Sequence, residues 1–438
     1  MKTHHILAID QGTTMTTALV MALSPQKSLQ ILAKSSVGFP QHYPHPNWVE
    51  HNLEEIWASV ETACTQALAK AKREHGVSTL SAIGLTNQRE TLCLYHRKTL
   101  RPLHPAIVWQ CKRSMDLCTQ LKSAGLEDLI RAKTGLLCDP YFTATKLQWV
   151  LESQPHLRTL LQTGEALMGT LDTYLLSKLT GGAVHATEPS NASRTLLLSL
   201  ETGQWDPELL SLFSLPSGNW LPEVRPSAGI FGHTQGVGFL PDGVPISGIL
   251  GDQQAALAGQ ACFSPGEAKC TYGTGAFLLS NLGTKPLISE ERLLTTIAWQ
   301  LPDGSLTYAL EGASFIAGAA VQLLRDGLGW IHSAEESETV SQNVTAAPDL
   351  YFVPALSGLG APWWIPAAKG ALFGLTRSTS KEQLVRATLE GICFQICDLL
   401  SSMERGLHRK MEVLRVDGGA SANGLLLQIQ SDLLNLRV

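Results

Sequence analysis

Short apolar runs ending in Gly turns alternate with longer amphipathic stretches along the chain, a pattern that predicts an α/β protein. His5–Ile9 reads as a buried strand, followed by a Gly/Thr turn and a second strand over Thr17–Leu23. Asn52–Glu74 predicts a helix. Asn52 stands at its cap, Glu55 completes a capping box, Ile56, Val60, Ala63, Cys64 and Ala67 recur on one face, and Gly76 closes it. Leu80–Leu85 predicts a strand that runs into Thr86-Asn-Gln-Arg-Glu90. The second half repeats the style. Ala268–Thr271 is a strand entering the turn Tyr272-Gly-Thr-Gly275, and Ser380 with Gln383 forms a capping box that opens a helix to about Met403. Val413–Val416 is a strand entering Asp417-Gly-Gly419, and Asn423 caps a helix with Leu426, Ile429 and Leu433 on one face.

A length of 438 residues exceeds what one hydrophobic core organises. No low-complexity linker divides the chain, so the small-residue run Gly251–Gly259 is the expected boundary, with domains over 1–255 and 256–438. The net charge of −5 comes without a basic stripe, which argues against a nucleic-acid partner. The nine cysteines include no C-x-x-C pair, which disfavours a disulfide framework or a zinc ribbon and fits reduced, buried thiols in a cytoplasmic protein. The first apolar run, Ile6–Ile9, is stopped by Asp10, far short of a signal core, and no other stretch reaches spanning length, so neither export nor membrane insertion is expected. The sequons at Asn191 and Asn343 are then chance matches.

Two segments share one grammar, an apolar strand, an Asp and a tight Gly turn: Leu7-Ala-Ile-Asp-Gln-Gly-Thr-Thr14 and Leu414-Arg-Val-Asp-Gly-Gly-Ala420. Cys270-Thr-Tyr-Gly-Thr-Gly275 keeps the turn without the Asp. Glycines let backbone N–H groups approach an anion, Thr hydroxyls add donors, and an Asp at a strand end can hold Mg²⁺ through water. One such turn alone would be an ordinary hairpin; two Asp-Gly turns with a Gly-Thr-Gly turn between them point to a nucleotide held by duplicated domains. Neither a P-loop nor a G-x-G-x-x-G fingerprint opening a helix is present.

These segments occur together with Ala106-Ile-Val-Trp-Gln110, Asp139-Pro-Tyr-Phe142, Asn191-Ala-Ser-Arg-Thr195, Gly251-Asp-Gln-Gln-Ala255 and the run from Phe352 to Pro362. In order and spacing the set resembles the FGGY carbohydrate kinases, and within them the members that phosphorylate glycerol. The resemblance covers the chain from end to end. It implies two actin-like (ribonuclease-H-like) ATPase domains with a cleft between them, and transfer of phosphate from ATP, with Mg²⁺, to glycerol, giving sn-glycerol 3-phosphate in glycerol catabolism. Carried over residue by residue, the glycerol site falls on Arg89, Glu90, Trp109, Tyr141, Asp252, Gln253 and Phe277, with Asp252 as general base. Nucleotide contacts fall on Thr13, Thr14, Thr274, Gly318, Gln322, Gly419 and Asn423, and Asp10 is the carboxylate on the Mg²⁺ side. The residue chemistry agrees: Arg, Glu, Asp and Gln meet the donor and acceptor needs of three hydroxyls, and Trp109 and Phe277 can wall the hydrocarbon edge. Homo-oligomerisation stays open. The alternatives are an FGGY kinase for another small polyol or ketose, and an inactive, shortened relic.

The chain departs from the family pattern at several points. Thr17 stands where the family carries an Arg that meets the phosphates, and Ile365 replaces an Asp in Trp363-Trp-Ile-Pro366. The basic, Gly-rich loop that binds fructose bisphosphate in bacterial members has no counterpart, since Gly236–Gly243 holds no Arg or Lys. The resemblance also implies a further strand and helix beyond Val438. For a chain ending there, the expectation is tighter binding of glycerol than of ATP and a lower stability than with that tail.

Overall fold

The computed structural model describes residues 3–26, 28–345 and 347–438. The chain divides into two compact units, Met1–Ala255 with Thr296–Thr307, and Ala256–Thr295 with Tyr308–Val438. The hairpin tip Thr296–Thr307 is thus grouped with the first unit, which no local pattern in the sequence announces.

The first unit is organised by six strands. The opening apolar run becomes β1 (His4–Gln11), which turns at Gly12–Thr14 into β2 (Met15–Leu23) and then β3 (Leu29–Gly38). Helix α1 (Leu53–His75) follows, then β4 (Ala82–Asn87), α2 (Thr143–Ser153), β5 (Ala228–His233), β6 (Pro245–Gly251) and α3 (Asp252–Gly259). The sheet order is β5-β6-β4-β1-β2-β3. The central three, β6, β4 and β1, are parallel, and the outer pairs are antiparallel. Alternation sends Leu7, Ile9, Ala18 and Val20 into a core with Ile56, Val60, Ala63, Cys64 and Ala67 of α1. The opposite face carries Asp10 and its cross-strand neighbours.

Asn52 caps α1 as expected, accepting from the Glu54 amide at 2.8 Å, and Gly76 closes it in the left-handed region. The capping box does not form: the Glu55 carboxylate is drawn away to His42, 2.8 Å from the ring nitrogen.

The second unit repeats the design. Its strands are β7 (Ala268–Tyr272), β8 (Ala276–Gly283), β9 (Leu294–Gln300), β10 (Leu306–Ser314) and β11 (Leu414–Asp417), in the order β9-β10-β8-β7-β11. As with β1, β2 and β4, a tight turn joins the antiparallel pair β7–β8, and a later strand lies parallel to the first. Its helices include α4 (Gly318–Gln322), α5 (Lys381–Leu407) and α6 (Gly424–Leu434). Helix α5 opens with the expected Ser380–Gln383 capping box, and its Val385, Leu389, Ile392, Ile396 and Leu399 share a core with Cys270, Leu278 and Leu310. Asn423 caps α6, but Leu433 is exposed; the inward face follows Leu426, Ile429 and Gln430, and Leu434 carries it on.

All nine cysteines are free, eight of them buried. No helix among the described residues is long and apolar enough to cross a membrane.

Candidate functional site

Register places three strand ends of the first unit in a row. Gln11 of β1 pairs with Asn87 of β4, and Asn87 pairs with Gly251 of β6. The residues that leave these ends are Gly12-Thr13-Thr14, Gln88-Arg89-Glu90 and Asp252-Gln253, so segments far apart in sequence converge at the carboxyl edge of a parallel sheet, where α/β folds bind ligands.

Arg89 is the centre of this convergence and is 2% exposed. Its guanidinium lies 3.4 Å from Asp252 Oδ1, 3.2 Å from Gln254 Oε1 and 3.5 Å from the Tyr141 hydroxyl. Its stem crosses directly over Gly251: a Cβ there would come within 2.8 Å of Arg89 Cγ and Cδ, so the glycine makes the room. Glu90 is equally buried and sits at φ 60°, an unfavourable conformation for a non-glycine. Its carbonyl is fixed by Lys146 Nζ at 3.1 Å and Thr143 Oγ1 at 3.1 Å, both from α2, and its carboxylate accepts from Arg194 Nε at 2.6 Å. Burial lowers the Lys146 ammonium to about 8, against the pull of Glu90.

Tyr141 is buried edge-on to Trp109, ring centroids 5.7 Å apart, and the half-buried Trp109 donates its indole N–H to Thr13 Oγ1 at 2.9 Å. Gln253 is buried, and its backbone N–H donates to Asp252 Oδ1 at 2.7 Å. Six of the seven residues expected around glycerol therefore share this unit; Phe277 belongs to the second, on β8 opposite Thr271. Arg194 lies in Asn191-Ala-Ser-Arg-Thr195, a segment that holds none of the residues expected around glycerol or nucleotide. An isolated Arg reads as surface, yet this one is fully buried against Glu90 and the rings of Tyr141 and Phe142.

Asp10 stands near the end of β1 across from Thr86, whose hydroxyl is buried and has no hydrogen-bond partner among the described residues. Desolvation, and after it the charge of Asp252, push the Asp10 carboxyl up to about 6, against a lowering by Lys34. Because the Asp10 side chain is open to solvent, the charge of Asp252 is the firmer cause. Thr17 faces Asp10 from β2 and hydrogen-bonds Ser36 at 2.9 Å.

In the second unit, Thr271 of β7 pairs with Asp417 of β11 and donates to its carboxylate at 2.6 Å, and Gln260 donates to the other oxygen at 3.2 Å. Their two turns touch: Gly418, at φ 91°, would bring a Cβ within 2.5 Å of the Tyr272 carbonyl. Gly318 starts α4 by donating to Gly273 O at 2.9 Å, which ties that helix to the Gly273–Gly275 turn; Thr274 and Gln322 are exposed and Gly318 is half-buried. Gly419 is exposed on the neighbouring turn. The Asn423 amide is already committed, accepting from Leu426 N at 2.9 Å and donating to Ser337 Oγ at 3.1 Å.

Comparison with known proteins identifies the family. The FGGY family of carbohydrate kinases matches with its N-terminal domain over residues 5–259 and its C-terminal domain over 268–438. A glycerol kinase of Bdellovibrio bacteriovorus is 50% identical over 98% of this chain and 85% of its own length. A glycerol kinase of Myxococcus xanthus is 50% identical over 99% of this chain and 86% of its own. Among solved structures, Plasmodium falciparum glycerol kinase with ADP is 35% identical, with a TM-score of 0.89 over 99% of this chain and 85% of its own. The xylulose kinase of Rhodospirillum rubrum, 20% identical with a TM-score of 0.81 over 99% of this chain and 85% of its own, shares the fold. The chain belongs to the FGGY family of carbohydrate kinases, in its N-terminal and C-terminal domains alike.

Proposed function

We propose that the chain transfers the γ-phosphate of ATP to a terminal hydroxyl of glycerol, giving sn-glycerol 3-phosphate and ADP. The observation that carries this reading is the buried Arg89, joined to Asp252, Gln254 and Tyr141 where three parallel strands end. A guanidinium and a carboxylate side by side offer a triol both donors and acceptors. Arg89, Glu90 and Gln253 bind hydroxyls, while Trp109, Tyr141 and Phe277 take the hydrocarbon edge. The kinship to glycerol kinases supports glycerol over a ketose.

Asp252 acts as the general base. A glycerol hydroxyl is too weak an acid to ionise first, so its proton passes to Asp252 as the oxygen–phosphorus bond forms and the bond to the ADP oxygen breaks. Thr13 and Thr14 meet the transferred group, and Thr274, Gly318, Gln322 and Gly419 offer donors and close backbone approach to the nucleotide. Asn423 contributes by capping α6 beside them. The oxygen donors at Asp10 and Thr86 fit Mg²⁺, which takes one or two carboxylates and keeps several waters. When bound, the ion neutralises phosphate charge.

The test is ADP release coupled to NADH oxidation, run across glycerol, dihydroxyacetone and several pentuloses. Glycerol should give the highest kcat/KM. A pentulose preferred over glycerol overturns the substrate, and no release with any acceptor overturns the activity.

A further inference from the structure

A carboxylate outside the set of residues placed around glycerol is linked by hydrogen bonds to the row of strand ends. Glu188 is fully buried and accepts five hydrogen bonds. Its Oε1 accepts from Ser190 Oγ at 2.5 Å, Asn191 N at 2.7 Å and Asn191 Nδ2 at 3.0 Å. Its Oε2 accepts from Ser190 N at 2.9 Å and Ser227 Oγ at 2.6 Å. Two of these donors lead onward to the strand ends. Ser190 Oγ accepts from the Gly251 amide at 2.9 Å, immediately before Asp252. The Asn191 amide exchanges hydrogen bonds with that of Asn87, at 2.9 and 3.2 Å, two residues before Arg89.

We infer that Glu188 is a positioning residue, which sets Asp252 and Arg89 against each other by holding the ends of β6 and β4 through Ser190 and Asn191. Five donors on two oxygens are what a carboxylate satisfies. Glu188→Gln isolates this role. Each carboxylate oxygen accepts from a backbone N–H, Ser190 on one side and Asn191 on the other. Whichever end the amide NH₂ takes, it therefore faces a donor that cannot turn away. Size and fold are kept, and the Ser190–Asn191 turn has to shift.

The inference rests on the proposed glycerol phosphorylation, so wild type and variants are measured side by side, well below their melting temperatures. Glu188→Gln should lower kcat/KM for glycerol about 10- to 100-fold, the cost of a misplacement near 1 Å, and leave the KM for ATP unchanged. Backbone amide exchange at Gly251 should accelerate while the sheet interior stays protected. Ser190→Ala, a smaller change that should fold if the first does not, should reproduce both effects. Variants with wild-type glycerol kinetics and wild-type protection at Gly251 overturn the role of Glu188, as does a loss shared equally by glycerol and ATP. A wild type inactive on glycerol overturns the proposed function, and this inference with it.

Discussion

Replacing Gly251 by Ala adds one methyl group and removes no charge, no hydrogen-bonding group and no contact with a ligand. Its backbone is not in the left-handed region, so the extended conformation suits alanine as well as glycine. What changes is space. The new Cβ would stand 2.8 Å from Arg89 Cγ and Cδ and 3.1 Å from Gln254 Oε1, where ordinary contact begins at 3.4 Å. The shortfall of about 0.6 Å falls on the stem of a side chain whose head is pinned by three partners, so it cannot be absorbed by a free end. The guanidinium has to move, and it lies against Asp252. A displacement approaching 1 Å costs on the order of 10²-fold in turnover efficiency, and overpacking costs about 1–3 kcal/mol in stability. Steady-state kinetics should show the fall in kcat/KM for glycerol with an unchanged KM for ATP, and the thermal midpoint should drop modestly. Wild-type glycerol kinetics in Gly251→Ala would refute the placement of Arg89 at the polyol site.

Asp252→Asn should lower turnover by about 10²–10⁴ with glycerol affinity altered far less; near-normal turnover would remove Asp252 from the role of base. Arg89→Ala should raise the KM for glycerol about 5- to 150-fold, the equivalent of one lost buried hydrogen-bonding partner, and a larger shift in the KM for ATP would contradict the site. Asp10 has its folded carboxyl raised above an ordinary 3.8 by burial and by the charge of Asp252, so the stability it lends below pH 3.8 is lost as pH rises through the folded value, which lies at or below about 6. Asp10→Asn should therefore be the more stable protein above pH 6 in thermal melts without ligand, and should lose that advantage below about pH 4. Thr17 pairs with Asp10, so Thr17→Arg brings a cation beside that carboxylate and should raise turnover about tenfold; unchanged or lower turnover would show that position 17 does not face the phosphoryl group.

Local signals in the sequence were enough for the elements. The apolar runs, the Ser380–Gln383 box and the Asn423 cap all appear where pattern and capping chemistry place them. The misread details are competitions between neighbours: Glu55 has two polar partners within reach and takes His42 rather than the helix cap. Within the site, Arg89, Glu90 and Asp252 follow from the resemblance to the FGGY carbohydrate kinases, carried over motif by motif; alone, Arg89 and Glu90 would read as a surface pair. Arg194, Lys146 and Glu188 were not legible as a group. Their meaning lies in long-range pairing, Arg194 and Lys146 with Glu90 at separations of 104 and 56 residues and Glu188, through Asn191, with Asn87 at 104, and no periodicity encodes such a pairing. The grouping of Thr296–Thr307 with the first unit is the same kind of fact, set by tertiary packing alone.

The row formed by Gln11, Asn87 and Gly251 has a consequence for how such a protein can diverge. The sheet acts as a ruler: its backbone bonds set the spacing of three exit points, and the hydrogen bonds of Ser190 and Asn191 steady the ends of β6 and β4. The groups that discriminate among substrates hang one to three residues beyond it. Mutations in those overhangs can retune acceptor preference while the ruler keeps its graduations, so new specificity can be explored without refolding the scaffold. Changes that shorten or bulge one of the three strands would instead shift a whole set of overhanging residues at once. Insertions should therefore be rare within β1, β4 and β6 and common just past their ends.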